Sequence, residues 1–332
     1  MTSRRLVKIT FPVLLLIGIY FLGPEPDVPV FNPAMPVVPG DPVALENYVN
    51  ANEKKHQVKP GNEAEIVWYD SAKQKTEYAV VYLHGYTASK MEGDPTHRRF
   101  AKTFGANLYL SRLADHGIDT TETLLLFTAD RFWESAKEAL AIGKQLGHKV
   151  ILIGTSTGST VALKLAADYP EDVYAMINLS PNAGLRDPAA FLLNDPWGLY
   201  IARAVLGGKY RVTNASEEHA KYWNKKSRIE SLTELEQLLE TTMTNETFQR
   251  VKQPVLNLYY YKNDEEQDSE VSVEKILWMH DQLGTSTDMK QAVAFPEAGA
   301  HVIGAAMSSK DLEGVNAAIE KFAVEKLGLV KH

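Results

Sequence analysis

From residue 64 onward, short runs of β-branched and aromatic residues alternate with longer stretches whose apolar positions recur every three or four residues. The short runs predict strands and the longer stretches helices; their alternation predicts a mainly parallel α/β sheet with helices on both faces. Seven runs read as strands, at 65–69, 78–83, 107–110, 150–153, 173–179, 255–261 and 291–295, within a sheet of roughly eight strands. Residues 130–146 place Phe132, Ala136, Leu140 and Gly143 on one helical face, and residues 315–327 do the same with Ala318, Ile319, Phe322 and Ala323. One interval breaks the rhythm. Residues 182–253 separate two strands that a single helix would otherwise join, and they contain an apolar helix candidate at 197–206 and a polar one at 231–243. An insertion of that length is expected to be a helical cap over the sheet, because structureless loops are rarely so long. Trp197, Leu199, Tyr200 and Leu206 are read either as lining for an apolar pocket or as the cap's own core.

The first residues follow a different pattern. Arg4, Arg5 and Lys8 precede an uncharged run at 9–23 of about 15 residues, short for a spanning helix and typical of a targeting core. Without a small-x-small cleavage site, residues 1–23 are expected to be a retained membrane anchor with the rest exported, or a secreted chain if cleavage does occur. Residues 24–42 hold seven of the sixteen prolines and read as an extended stalk, or as a strip lying on the domain surface. The main domain is then 43–332.

Composition narrows the chemistry. A formal charge of −7 argues against nucleic acid as a partner, and the absence of Cys excludes thiol nucleophiles, disulfides and zinc-thiolate sites. The 332 residues, 45% of them hydrophobic, suffice for a large core.

One motif carries chemistry. An apolar strand at 150–153 runs into Gly154-Thr155-Ser156-Thr157-Gly158, and residues 159–167 continue as a helix. A serine in such a strand–turn–helix is held in strained backbone with its hydroxyl at the carboxyl edge of the sheet, so Ser156 is the candidate nucleophile and Gly154 and Gly158 the small supporting residues. A serine hydroxyl needs an imidazole base and a carboxylate to orient it. His301, in a Gly/Ala-rich loop after the last strand, is the candidate base, whereas His56, His97, His148, His219, His280 and His332 are read as ordinary surface or core residues. The acid belongs after the strand at 255–261, where Asp268 is preferred and Asp264 is the alternative. Two backbone N–H groups would hold an oxyanion, those of Thr157 and of Tyr86, with His84 and Gly85 shaping the turn before Tyr86.

These residues resemble the α/β-hydrolase superfamily, and within it the capped serine esterases, monoacylglycerol-lipase-like enzymes and serine-aminopeptidase-like hydrolases. His84-Gly85 resembles the family's oxyanion loop, the run from Arg112 to Gly117 its loop after the next strand, and Gly154 to Gly158 its nucleophile elbow. Ser156, Asp268 and His301 follow the family's chain order. The resemblance implies a serine hydrolase acting on a small-molecule ester or acyl substrate, with no cofactor and no metal. A peptidase on small peptides, or a catalytically silent binding protein of the same fold, are the alternatives.

Overall fold

The computed structural model describes residues 14, 15 and 17–332. In chain order the elements are α1 (Pro42–Glu53), β1 (Glu65–Val67), β2 (Thr76–Leu83), α2 (Thr96–Thr103), β3 (Asn107–Leu110), α3 (Ala129–Leu146), β4 (Gly147–Thr155), α4 (Thr157–Asp168) and β5 (Ala175–Leu179). There follow α5 (Gly198–Val205), β6 (Tyr210–Val212), α6 (Glu217–Ala220), β7 (Lys226–Arg228), α7 (Glu230–Thr242), α8 (Asn245–Arg250), β8 (Val255–Tyr259), α9 (Val273–Gln282), β9 (Lys290–Ala294) and α10 (Leu312–Glu325).

Seven strands form the main sheet, in the order β1-β3-β2-β4-β5-β8-β9; β1 is antiparallel to β3 and every other neighbouring pair is parallel. These are the seven runs read from the sequence, one fewer than the approximate total of eight. Their apolar residues split by parity. Ala79, Val81 and Leu83 of β2 join Val150 and Leu152 of β4 in the core under α3 and α4, while Val80, Tyr82, Ile151 and Ile153 face the opposite core with Phe100, Phe322 and Ala323 of α2 and α10. A sheet covered on both faces needs this near-continuous hydrophobicity, because successive side chains point to opposite sides.

The chain leaves β2 for β3 on one side and returns to β4 on the other, so the strand order reverses between β2 and β4. Crevices at the carboxyl ends of strands form at such reversals. The register Leu83↔Gly154 brings the loop after β2 beside the turn after β4.

The insertion at 182–253 is a cap, but not a purely helical one. Besides α5, α6, α7 and α8 it carries an antiparallel ribbon of β6 and β7, pairing Tyr210 with Arg228 and Val212 with Lys226. Its side-chain contacts are polar: Lys226 Nζ sits 3.7 Å from the Tyr210 ring centroid across the ribbon, and Arg228 pairs with Glu122 and Glu230 outside it. Three-residue strands carrying charges leave no hydrophobic alternation to read.

The expected membrane tether with an exported catalytic domain is corrected here. Arg4, Arg5, Lys8 and the start of the apolar run lie outside the described residues. Among the described residues no helix is long and apolar enough to cross a membrane. About 15 helical residues would span only some 22 Å, less than a hydrocarbon core. The end of the run is fastened to the cap instead, with Tyr20 Oη donating to Asp195 and Trp197 Nε1 to the carbonyls of Ile19 and Tyr20.

Residues 24–40 form neither helix nor strand and lie along the domain as a strip. Phe31 meets Trp133 edge-on at 6.0 Å, Met35 and Val38 pack on the same core, and Tyr169 Oη donates to Pro33 O. Lys137 is fully buried, and its ammonium donates to the carbonyls of Asn32 and Ala34 and pairs with Glu134.

Candidate active site

Ser156 stands between β4 and α4 with φ 53° and ψ −121°, a strained conformation for a residue bearing a side chain. Local hydrogen bonds hold it there: Ser156 N–H donates to Leu179 O, and Ser156 O accepts from Ser159 and Asn182. The flanking glycines are required by contact. A Cβ on Gly154 would lie 2.7 Å from the Ser159 backbone, and one on Gly158 only 1.9 Å from Leu83 O.

His301 lies in the loop after β9. Its Nδ1–H donates to Asp268 Oδ2 at 2.7 Å, which leaves Nε2 as the basic nitrogen. Asp268 is fully buried, and its other oxygen accepts from the N–H groups of Glu270 and Val271. Burial alone would raise the Asp268 pKa, but the His301 charge, its hydrogen bond and the two N–H groups together bring it below the ordinary value. Burial likewise pulls His301 down, and the Asp268 charge and hydrogen bond, helped by Glu92 and Glu270, reverse this, so that His301 ends above its ordinary value. Asp264 is exposed and accepts from the hydroxyl of Tyr261; the structure pairs His301 with Asp268 and not with Asp264.

The loop after β2 is braced by two neutral imidazoles. His84 Nε2 accepts from Leu113 N–H and its Nδ1 donates to Gly85 O, while His116 Nε2 accepts from Thr87 N–H and its Nδ1 donates to Ala114 O. Burial lowers both: His84 falls well below its ordinary value and His116 to about 4. Gly85 N–H donates to Glu92 and Thr87 N–H to His116, and the N–H of Tyr86 lies between them. Tyr86 Oη meets Ser231 Oγ at 2.5 Å, tying the loop to the cap.

A cavity of about 700 Å³ opens on Tyr86, Ser156, Thr157 and His301. Its lining from the cap includes the apolar Leu192, Leu193, Ile201, Ala202, Val205 and Leu206 and the polar Arg211, Thr213, His219 and Asn224. Of the four residues read as pocket lining, Leu206 alone belongs to it. Trp197 instead holds the chain at Ile19 and Tyr20, and Tyr200 stays outside the lining, which α5 reaches through Ala202, buried, and through Ile201 and Val205, which remain exposed. His219, read as an ordinary residue, lines the cavity against Trp223. The sequence reading also missed Glu92, a buried acid in the cavity wall, since nothing about a lone Glu in a Lys-Met-Glu-Gly turn marks it as buried. Among the described residues no cluster of three or more His, Asp or Glu is arranged to hold a metal ion.

No protein-family model matches the sequence, and no curated protein is significantly similar to it. Solved structures do match in shape. The structure described for the metagenome-derived lipolytic enzymes LipS and LipT superposes with a TM-score of 0.65 at 18% identity, covering 80% of this chain and 98% of that one. The monoacylglycerol lipase of Paleococcus ferrophilus gives 0.58 at 13% identity over 79% and 98% of the two chains. Est1E from Butyrivibrio proteoclasticus bound to ferulic acid gives 0.54 at 17% over 82% and 99%. Likeness at such identities is likeness of fold, and by its strand order, its sharp turn at Ser156 and these superpositions the chain has the α/β-hydrolase fold.

Proposed function

We propose that the chain is a serine hydrolase that cleaves a carboxylic ester through an acyl-enzyme on Ser156. The observation that carries this reading is the buried Asp268–His301 pair opening onto the same cavity as a serine held at positive φ. In the reaction, His301 Nε2 takes the Ser156 proton as Oγ bonds to the ester carbonyl carbon. Asp268 fixes the imidazole tautomer and stabilises the imidazolium. The oxyanion is held by the N–H groups of Tyr86 and Thr157. Collapse of the tetrahedral adduct breaks the C–O bond, and the leaving alkoxide takes the proton from His301. Water, deprotonated by His301, then attacks the acyl carbon; the acid departs and Ser156 recovers its hydrogen.

The apolar residues that α5, Leu192 and Leu193 contribute to the lining support an aliphatic acyl group as part of the substrate, since covering that exposed apolar area supplies affinity. Lipolytic enzymes and a monoacylglycerol lipase among the structures of similar shape support an ester as the substrate class. A ladder of p-nitrophenyl esters from acetate to palmitate tests the reading. Turnover is expected to peak at an intermediate chain length. Cleavage of small peptides with no cleavage of any ester would overturn it in favour of a peptidase.

A further inference from the structure

Glu92 is a carboxyl group that the reaction scheme above does not use, and it is built into the site. It sits on a 3₁₀ turn, Lys90–Gly93, and is 2% exposed. Its Oε2 accepts the Gly85 N–H at 2.5 Å, and it shares the cavity wall with Tyr86, Ser156, Thr157 and His301. The distances are short throughout. A Cβ placed on Gly85 would lie 2.9 Å from Ser156 Cβ and 3.0 and 3.1 Å from the two Glu92 oxygens. The turn is fixed from behind: Lys90 pairs with Glu65, and Lys90 O accepts from His97 Nε2.

We propose, on the strength of the hydrolase reading, that Glu92 is a positioning residue that aims the Tyr86 N–H by holding the Gly85 N–H and that presents a second negative charge to His301 as its imidazolium forms. The first role follows from geometry. The Gly85 N–H belongs to the peptide plane immediately before the residue that precedes the Tyr86 amide. Glu92 thus holds the plane on one side of Gly85, and His84 Nδ1, donating to Gly85 O, holds the next plane, which carries the Tyr86 N–H; with both fixed the donor is preorganised, an effect that is usually the largest single term in acyl transfer. The second role follows from what surrounds His301. Asp268 holds it by a hydrogen bond, Glu92 and Glu270 line the same cavity as it, and the charges of all three favour the charged imidazole.

Glu92 is faced by Gly85 from the loop after β2, by His301 from the loop after β9 and by Trp223 from the cap. Tyr82 of β2 feels its charge and that of Asp94, and the His219 ring packs tilted against Trp223. Burial drives the Glu92 carboxyl up, to about 7, against the pull of the Gly85 N–H, the His301 charge and the Trp223 side chain. Its charge therefore changes over the range in which His301 must be neutral to act as base. Removing that charge lowers the His301 pKa, so the acidic limb of the rate profile moves to lower pH.

The test compares the full chain with Glu92→Gln and Glu92→Ala, measuring kcat and KM for a p-nitrophenyl ester from pH 5 to 9 and the rate of fluorophosphonate labelling. Glu92→Gln keeps an acceptor for Gly85 and is expected to shift the acidic inflection of kcat/KM down by roughly half a pH unit. Glu92→Ala loses the acceptor as well, and its kcat is expected to fall at least about tenfold with KM little changed. An unmoved inflection in Glu92→Gln overturns the electrostatic role. An unchanged kcat in folded Glu92→Ala, or equal losses in the two variants, overturns the positioning role. Should Glu92→Ala fail to fold, a kcat in Glu92→Asp, whose shorter side chain draws the acceptor from Gly85, equal to that of the parent overturns the positioning role. If the parent is neither labelled nor active, the hydrolase reading fails and this inference with it; an active parent with indifferent variants removes Glu92 alone.

Discussion

At the scale of single residues, two neighbouring aspartates differ in burial, which supports Asp268 as the proposed acid. Asp268 is enclosed because Leu185 bridges to Val271, and Arg186 reaches over to donate to Asp268 O at 2.6 Å. Asp264 meets water in a turn closed by Asn263 and Glu266. Asp268→Asn is therefore expected to lower kcat by on the order of 10³- to 10⁴-fold, because an amide cannot hold the same imidazole tautomer, whereas Asp264→Asn changes it little. The pH dependence carries a sign. His301 lies above its ordinary value, so kcat/KM falls on the acid side at a pH above 6.5, and a limb centred below that value would contradict the pairing. Linkage for Asp268 runs the other way from that for His301. Its lowered pKa contributes stability above the ordinary carboxylate range that is lost as pH falls through the folded value, while the raised His301 contribution is present below 6.5 and is lost as pH rises through its own folded value.

At the scale of elements, the turn after β4 works only because two backbones nearly touch. Gly158→Ala would press a methyl group into Leu83 O, the last residue of β2, and through it into the loop that carries Tyr86. The expected cost is about 1–3 kcal/mol or more, read as a lower melting temperature together with a loss of ester turnover larger than stability alone explains. A variant that melts and turns over like the parent would mean that the helix can withdraw without disturbing the oxyanion loop. All seven strands of the sheet and the helix after Ser156 were legible, because β2, β4, β5 and β8 are buried on both faces and read as apolar runs of the right length. The ribbon of β6 and β7 was not, since its pairing rests on Tyr210, Lys226 and Arg228 and not on alternating apolar residues. Which side of α5 meets the cavity was illegible for a related reason: Tyr200, Ile201, Val205 and Leu206 are apolar around most of the helix and its end. The sharp turn at Ser156 and the loop that carries His301 were legible in local sequence, whereas Glu92 and His219 reach the cavity only through long-range packing.

At the scale of the whole molecule, the proline-rich strip belongs to the core it covers. Without it Trp133 loses Phe31, and Lys137, with a fully buried side chain, loses the two carbonyls that solvate its ammonium. An ammonium left buried with only part of its partners is costly. A chain beginning at residue 41 is expected to melt several degrees below the full chain, since each kcal/mol is worth roughly 2–4 °C in a protein of moderate size. Fluorophosphonate labelling of Ser156 below that temperature should persist, because the strip packs against Trp133 of α3 and Lys164 of α4 and lines no part of the cavity. Equal melting temperatures would show that the strip is held on the surface without contributing to the core.

The most direct test of the account is to react the full chain with a fluorophosphonate at neutral pH and locate the adduct by peptide mass spectrometry, beside Ser156→Ala. The account predicts one adduct, on Ser156, formed far faster than on any other hydroxyl and absent from Ser156→Ala. An adduct elsewhere, or labelling of equal rate in Ser156→Ala, would contradict the claim that the strained serine, His301 and Asp268 act as one nucleophilic unit.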